Sequence, residues 1–123
     1  MSYYDFDNLH YNMKIKVYKK DMDFGPGVAR IMQLVKETGT LSEAYRIMGI
    51  SSSKAWKIIK KAERDLGIKL IVTVIGGSGG GKSALTVEGE DFLKRYHTFT
   101  KELDNLAKNL FEKYFACDII NVD

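Results

Sequence analysis

The spacing of apolar residues changes period several times along this chain, and each change predicts an element. Met13-Lys14-Ile15-Lys16-Val17-Tyr18 alternates apolar and polar, the period of a half-buried strand. The stretch from Lys19 to Phe24 turns, and Gly25-Pro26-Gly27 breaks the chain before a helix. That helix is expected from about Val28 to Thr38, with Val28, Ile31, Met32 and Val35 at core spacing and Gly39 as a left-handed cap. A short second helix follows, capped by Thr40 or Ser42, with Leu41, Ala44, Tyr45 and Met48 facing inward and Gly49 closing it. Gly49-Ile50-Ser51 then turns into a third helix from about Ser52 to Leu66, closed by Gly67. Beyond it lie a strand from Leu70 to Ile75, a glycine-rich loop, a second short strand around Ala84-Leu85 and a long helix from about Val87 to Phe115.

Two short helices joined by a three-residue turn carrying glycine predict a helix-turn-helix. In the third helix, Ala55, Ile58, Ile59, Ala62 and Leu66 share one arc, while Lys54, Lys57, Lys61 and Arg64 share the opposite one. One side packs and the other is a cationic ridge. Its first turn, Ser51-Ser52-Ser53-Lys54, offers short donors and acceptors where a recognition helix meets base edges. The hairpin after it reads as a wing, whose glycines let backbone amides approach phosphates and whose Ser78, Lys82 and Ser83 add donors and charge. The other reading of such a loop is a tip without contacts.

The last helix carries Phe92, Tyr96, Phe99, Leu103, Leu106 and Leu110 at alternating steps of four and three, a heptad seam. Lys113 and Cys117 take the next two seam positions, so the seam fades. An apolar stripe on a helix leaving a small domain either folds back onto that domain or meets a second copy, and a homodimer is the more economical expectation.

Read letter by letter, Gly76-Gly77-Ser78-Gly79-Gly80-Gly81-Lys82-Ser83 also satisfies the phosphate-loop pattern G-x-x-x-x-G-K-[ST]. Such a loop needs a helix opening at the Lys-Ser pair. Here Ala84-Leu85-Thr86-Val87-Glu88-Gly89 puts β-branched residues and a glycine where the first helical turns would stand. A better helix start is Thr86 as N-cap, with Glu88, Glu90 and Asp91 in the first turn. Those carboxylates would repel a triphosphate, so the match is read as a wing tip and no enzymatic activity is expected.

Charge sharpens this picture. The formal net charge over 123 residues is only +3. From Thr40 to Lys69, however, seven bases stand against three acids, and from Glu88 to Asp123 five bases stand against eight acids. A basic middle beside an acidic tail suits one surface for polyanions and another kept off them. The single cysteine, Cys117, excludes a disulfide framework and fits a reducing compartment. No apolar run reaches membrane-spanning length and the start lacks a signal-peptide pattern, so the expectation is a cytoplasmic protein with no membrane partner. His10 and His97 have no spaced ligand partners, which gives no metal site, no catalytic site and no cofactor.

Particular residues carry a family resemblance. Thr38-Gly39-Thr40-Leu41-Ser42, Gly49-Ile50-Ser51, Ala55-Trp56, the glycines Gly76-Gly77 and Gly79-Gly80-Gly81, and Leu85-Thr86 with Gly89 resemble the N-terminal DNA-binding domain of ModE-type molybdate-responsive transcription regulators. That domain is in turn similar to those of LysR-type regulators. The resemblance covers about Met13 to Thr98 and implies that the glycine run belongs to a wing. Three positions depart from the family pattern. Tyr45 stands where the family usually has alanine, so either the two helices cross more widely or the ring tucks outward; Ser52 replaces a frequent tyrosine and Lys82 a frequent third glycine, so an operator sequence does not transfer. Only eight residues follow Phe115, and no oxyanion sensor or oxyanion effector is expected on this chain.

The expected fold is thus α+β and mainly helical. Residues 1–86 form a winged helix-turn-helix with an N-terminal strand, and residues 87–123 a long dimerisation helix with a short tail. The expected function is sequence-specific binding of double-stranded DNA by a homodimeric transcription regulator, with Thr40, Ser42, Ser51, Ser52, Ser53, Lys54, Lys57, Lys61, Ser78, Lys82 and Ser83 at the DNA. A protein-interaction module and an architectural DNA-binding protein with little sequence preference are the alternatives.

Overall fold

The structure is a computed structural model that describes residues 6–74 and 81–115. In chain order the elements are α1 (Pro26–Thr38), α2 (Leu41–Met48), α3 (Ser52–Leu66), β1 (Ile71–Val74), β2 (Lys82–Leu85) and α4 (Val87–Phe115). They fall into two units. One is Lys14–His97, and the other joins residues 6–13 to residues 98–115 of α4.

The first unit is built around α1. Pro26 opens this helix with a φ already suited to it, and Gly39 at φ +80° ends it, donating its N–H to the Val35 carbonyl at 2.8 Å. Between these caps Val28, Ala29, Ile31, Met32, Leu34 and Val35 are all buried, so α1 is the pillar against which α2, α3 and β2 pack. Thr40, not Ser42, caps α2, its hydroxyl accepting the Glu43 N–H at 3.2 Å. Ser51 caps α3 in the same way, accepting the Lys54 N–H at 3.2 Å. Ala55, Ile59, Ala62 and Leu66 of α3 are buried, while Ile58 is half-buried. Tyr45 settles the choice left open by its size. The ring lies inside, with the residue only 6% exposed, and its buried hydroxyl has no hydrogen-bond partner among the described residues. Burial pushes that hydroxyl's pKa up.

β1 and β2 pair antiparallel, with Ile71 opposite Leu85 and Val74 opposite Lys82. The hairpin is tied at its base to the helices. Ser83 donates its N–H to the Gly39 carbonyl at 2.8 Å, and Leu70 accepts the Thr86 N–H at 3.0 Å. Thr86 then caps α4 as expected, its hydroxyl accepting the Gly89 N–H at 2.8 Å. Gly89 is buried at the closest approach of α4 to the chain before β1, where a methyl group would overlap the Leu70 carbonyl oxygen. A glycine is therefore required there by space.

The alternating segment from Met13 to Tyr18 does not form a ladder strand. Ile15 and Val17 are half-buried and Lys14 and Lys16 exposed, so the alternation governs burial, but a single bridge pairs Val17 with Phe24. The backbone groups around it bond elsewhere. The Ile15 carbonyl accepts the Tyr96 hydroxyl at 2.7 Å, and the amides of Lys19, Lys20 and Asp21 donate to the Asp65 carboxylate at 2.8, 2.8 and 3.0 Å.

In the second unit the segment 6–13 lies along α4. Tyr11 packs on Phe111 with ring centroids 4.9 Å apart and donates its hydroxyl to Asp104 Oδ1 at 3.2 Å, while Phe6 meets Phe115 edge-on at 6.2 Å. Desolvation and the Asp104 charge together push the Tyr11 hydroxyl's pKa up.

Candidate nucleic-acid interface

The outer side of α3 begins at its cap. Ser51, Ser52 and Ser53 are all exposed; the Ser51 hydroxyl accepts the Lys54 N–H and shares a 3.3 Å hydrogen bond with the Ser53 hydroxyl. Lys54, Lys57, Lys61 and Arg64 are exposed along the same side. No described carboxylate forms an ion pair with Lys54, Lys57 or Lys61. Lys60 differs, with its ammonium 3.3 Å from Glu63 and 4.5 Å from the centroid of the Trp56 ring. The result is a helix opened by Ser52 and Ser53, whose outward charge is almost wholly positive, as the second member of a helix-turn-helix.

The remaining candidate contacts divide. Ser42 is exposed near the start of α2, whereas the Thr40 hydroxyl is occupied in capping. Lys82 is exposed at the start of β2, opposite Val74. Ser83 is buried, with its amide committed to Gly39, so its side chain faces the fold. Ser78 and Gly76 to Gly80 lie outside the described residues. Lys82 and Ser83 stand in a strand, and the helix that a phosphate loop requires at that pair is absent.

The predicted seam also divides. Phe92 and Tyr96 belong to the first unit's own core, edge-on to Phe24 at 4.6 and 5.1 Å. Phe99, Leu106 and Leu110 are 48%, 61% and 55% exposed, and Leu103 is half-buried. The stripe that stays exposed thus starts at Phe99, about two turns later than the periodicity predicts. The segment 6–13 contacts Asp104, Phe111 and Phe115, which lie beside that stripe, not on it.

Two acids that the sequence reading counted only as charge position the site. Glu63 is buried on the core side of α3, where its carboxylate accepts the Leu70 N–H at 2.7 Å and the Ile71 N–H at 3.4 Å. It joins the cationic helix to the first strand of the wing. Its position between Ala62 and Leu66 on the buried arc was the available signal. Asp65 gathers the turn from Lys19 to Asp21 onto the end of α3. Desolvation opposes the Asp65 charge, but the three amides and the Lys19 charge outweigh it and hold the carboxyl below the usual carboxylate range. Among the described residues no three His, Cys, Asp or Glu side chains converge as metal ligands, and no helix is long and apolar enough to cross a membrane.

No protein-family model matches this sequence. The chain is 27% identical over 88 residues to the molybdenum-pterin-binding protein MopB of Rhodobacter capsulatus, a match covering 72% of this chain and 32% of that protein. Among solved structures, ArgP from Mycobacterium tuberculosis superposes with a TM-score of 0.50 at 23% identity, covering 74% of this chain and 32% of that one. The chain therefore spans about a third of the length of each protein. Its fold is the LysR-type winged helix-turn-helix followed by a long helix, and the ModE/LysR-like resemblance read from its residues is supported by both comparisons.

Proposed function

We propose that this protein is a sequence-specific, double-stranded-DNA-binding transcription regulator that acts as a homodimer. The observation that carries this reading is the exposed face of α3. Ser52 and Ser53 open it, and Lys54, Lys57 and Lys61 continue it with no ion pair to a described carboxylate. In a major groove the first turn would meet base edges, with Lys54 reading a base and Lys57 and Lys61 neutralising phosphates. Exposed Lys82 on the wing adds a contact to the backbone or minor groove, and Ser42 lies near the start of α2 for a further phosphate.

The homodimer follows from α4. Phe99, Leu106 and Leu110 form an apolar stripe that the protomer leaves exposed, and pairing two such helices would hold two recognition helices at a fixed spacing. Nothing in this reading calls for catalysis or a cofactor, and the place of action would be the cytoplasm. Oxyanion sensing is not assigned to the span described.

Selecting duplexes from a random pool with the purified protein and sequencing them tests the proposal. A shared motif with two related half-sites is the expected result. Binding to all duplexes alike would indicate an architectural protein, and no binding at low salt would indicate a protein-interaction module.

A further inference from the structure

Beside the cationic ridge lies an open groove of about 390 Å³, lined by Leu41, Tyr45, Ser52, Ser53, Trp56 and Thr73. Three elements converge on it. α2 supplies Leu41 and the Tyr45 ring, α3 supplies its first turn and Trp56, and β1 supplies Thr73. The lining is mainly apolar although the groove borders the most polar and basic face of the molecule. Trp56 is 38% exposed and stands one turn after Ser52, where helical spacing brings residues four apart onto one side. Lys60 lies over its ring, with the ammonium 4.5 Å from the centroid.

An apolar hollow touching the first turn of a recognition helix meets one apolar group on the edges of the base pairs. That group is the C5-methyl of thymine in the major groove. The charge around the groove suits the same occupant, because Lys54 and Lys57 would draw a polyanion to this face and Ser52 and Ser53 would hydrogen-bond the base edges beside the methyl. We infer that the groove formed by Trp56, Tyr45 and Leu41 is a thymine-methyl reader, so that part of the sequence preference rests on apolar contact. This inference depends on the DNA-binding reading above.

The test uses the intact chain and a duplex selected from the random pool. Each thymine in turn is replaced by uracil, which removes the methyl and keeps the base pair. At one thymine in each half-site, uracil should weaken wild-type binding about fourfold, the burial of one methyl group. In the Trp56→Ala protein that penalty should vanish at the same position. A second readout needs no variant. Trp56 is the only tryptophan of the chain, so its emission should change on binding the thymine duplex and change less with the uracil duplex.

Uracil tolerated at every position overturns the inference while leaving DNA binding intact, as does an unchanged penalty in Trp56→Ala. Trp56 emission indifferent to saturating DNA would leave the groove to a different occupant and also overturns it. A protein that selects no duplex at all would remove the DNA-binding reading itself.

Discussion

Glu63 accepts the backbone N–H of Leu70 at 2.7 Å, and this bond runs from the buried side of α3 to the residue that precedes the wing. One carboxylate thus ties the base of the wing to the cationic helix, beside the Ser83 N–H bond to Gly39. A second amide, that of Ile71, shares the carboxylate at 3.4 Å.

Replacing Glu63 with Ala would leave a buried N–H without its acceptor, at a cost of about 1–3 kcal/mol. Glu63→Gln keeps an acceptor oxygen and should lose less. Urea unfolding followed by circular dichroism would rank the three proteins, with wild type most stable and Glu63→Ala least.

Asp65 gives a stability effect with a defined direction in pH. Its carboxyl pKa is lowered in the fold, so its contribution is present above the unfolded value of about 3.9 and is lost as pH falls through the lower folded value. Asp65→Asn should thus be less stable than wild type at pH 7, and the gap should narrow below about pH 4. A gap that widens on acidification would contradict the arrangement of three amides around the charged group. Thermal unfolding between neutral and acid pH measures this.

Local chemistry made much of the fold legible before any coordinates. Thr40, Ser51 and Thr86 cap helices, Gly39, Gly49 and Gly67 end them at positive φ, and Lys82 to Leu85 form a strand before the helix that Thr86 caps. What escaped depends on contacts distant in sequence. The heptad spacing of Phe92 and Tyr96 is the same whether they meet a second copy or Phe24, and only the position of Phe24 assigns them to the core. Ser83 reads as a polar loop residue until Gly39 is seen to accept its amide. The segment from Met13 to Tyr18 has a strand's alternation, but Asp65 and Tyr96 take backbone groups on and beside it that a second strand would need. No local spacing announces the packing of residues 6–13, because Tyr11 finds Asp104 and Phe111 nearly the whole chain away.

The exposed stripe on α4 predicts an association that charge should abolish. Leu106→Glu with Leu110→Glu should convert a dimer to a monomer in sedimentation at micromolar concentration and weaken binding to a two-half-site duplex. Phe92→Ala should instead lower stability, since that ring packs on Phe24 within the protomer. A wild-type protein that sediments as a monomer would contradict the dimer.

Lys82 separates the wing from a nucleotide site. In a strand, with no helix opening beside it, this lysine should leave ATP and GTP unbound at about 1 mM, where a site of about −4 kcal/mol would be half filled. Lys82→Ala should reduce the salt slope of DNA binding by about two units, the loss of one phosphate contact in each head of the dimer. Magnesium-dependent ATP turnover that disappears in this variant would contradict the wing.

The most direct test of the central claim is the salt dependence of binding to a selected duplex and to a scrambled one of the same length, followed by fluorescence anisotropy. With Lys57, Lys61 and Lys82 each on a phosphate in both heads of a dimer, affinity for the selected duplex should fall about a thousandfold between roughly 50 and 200 mM salt. It should stay at least about a thousandfold tighter than for the scrambled duplex. No binding to either duplex at low salt, or equal binding to both, would contradict α3 as a DNA-reading helix.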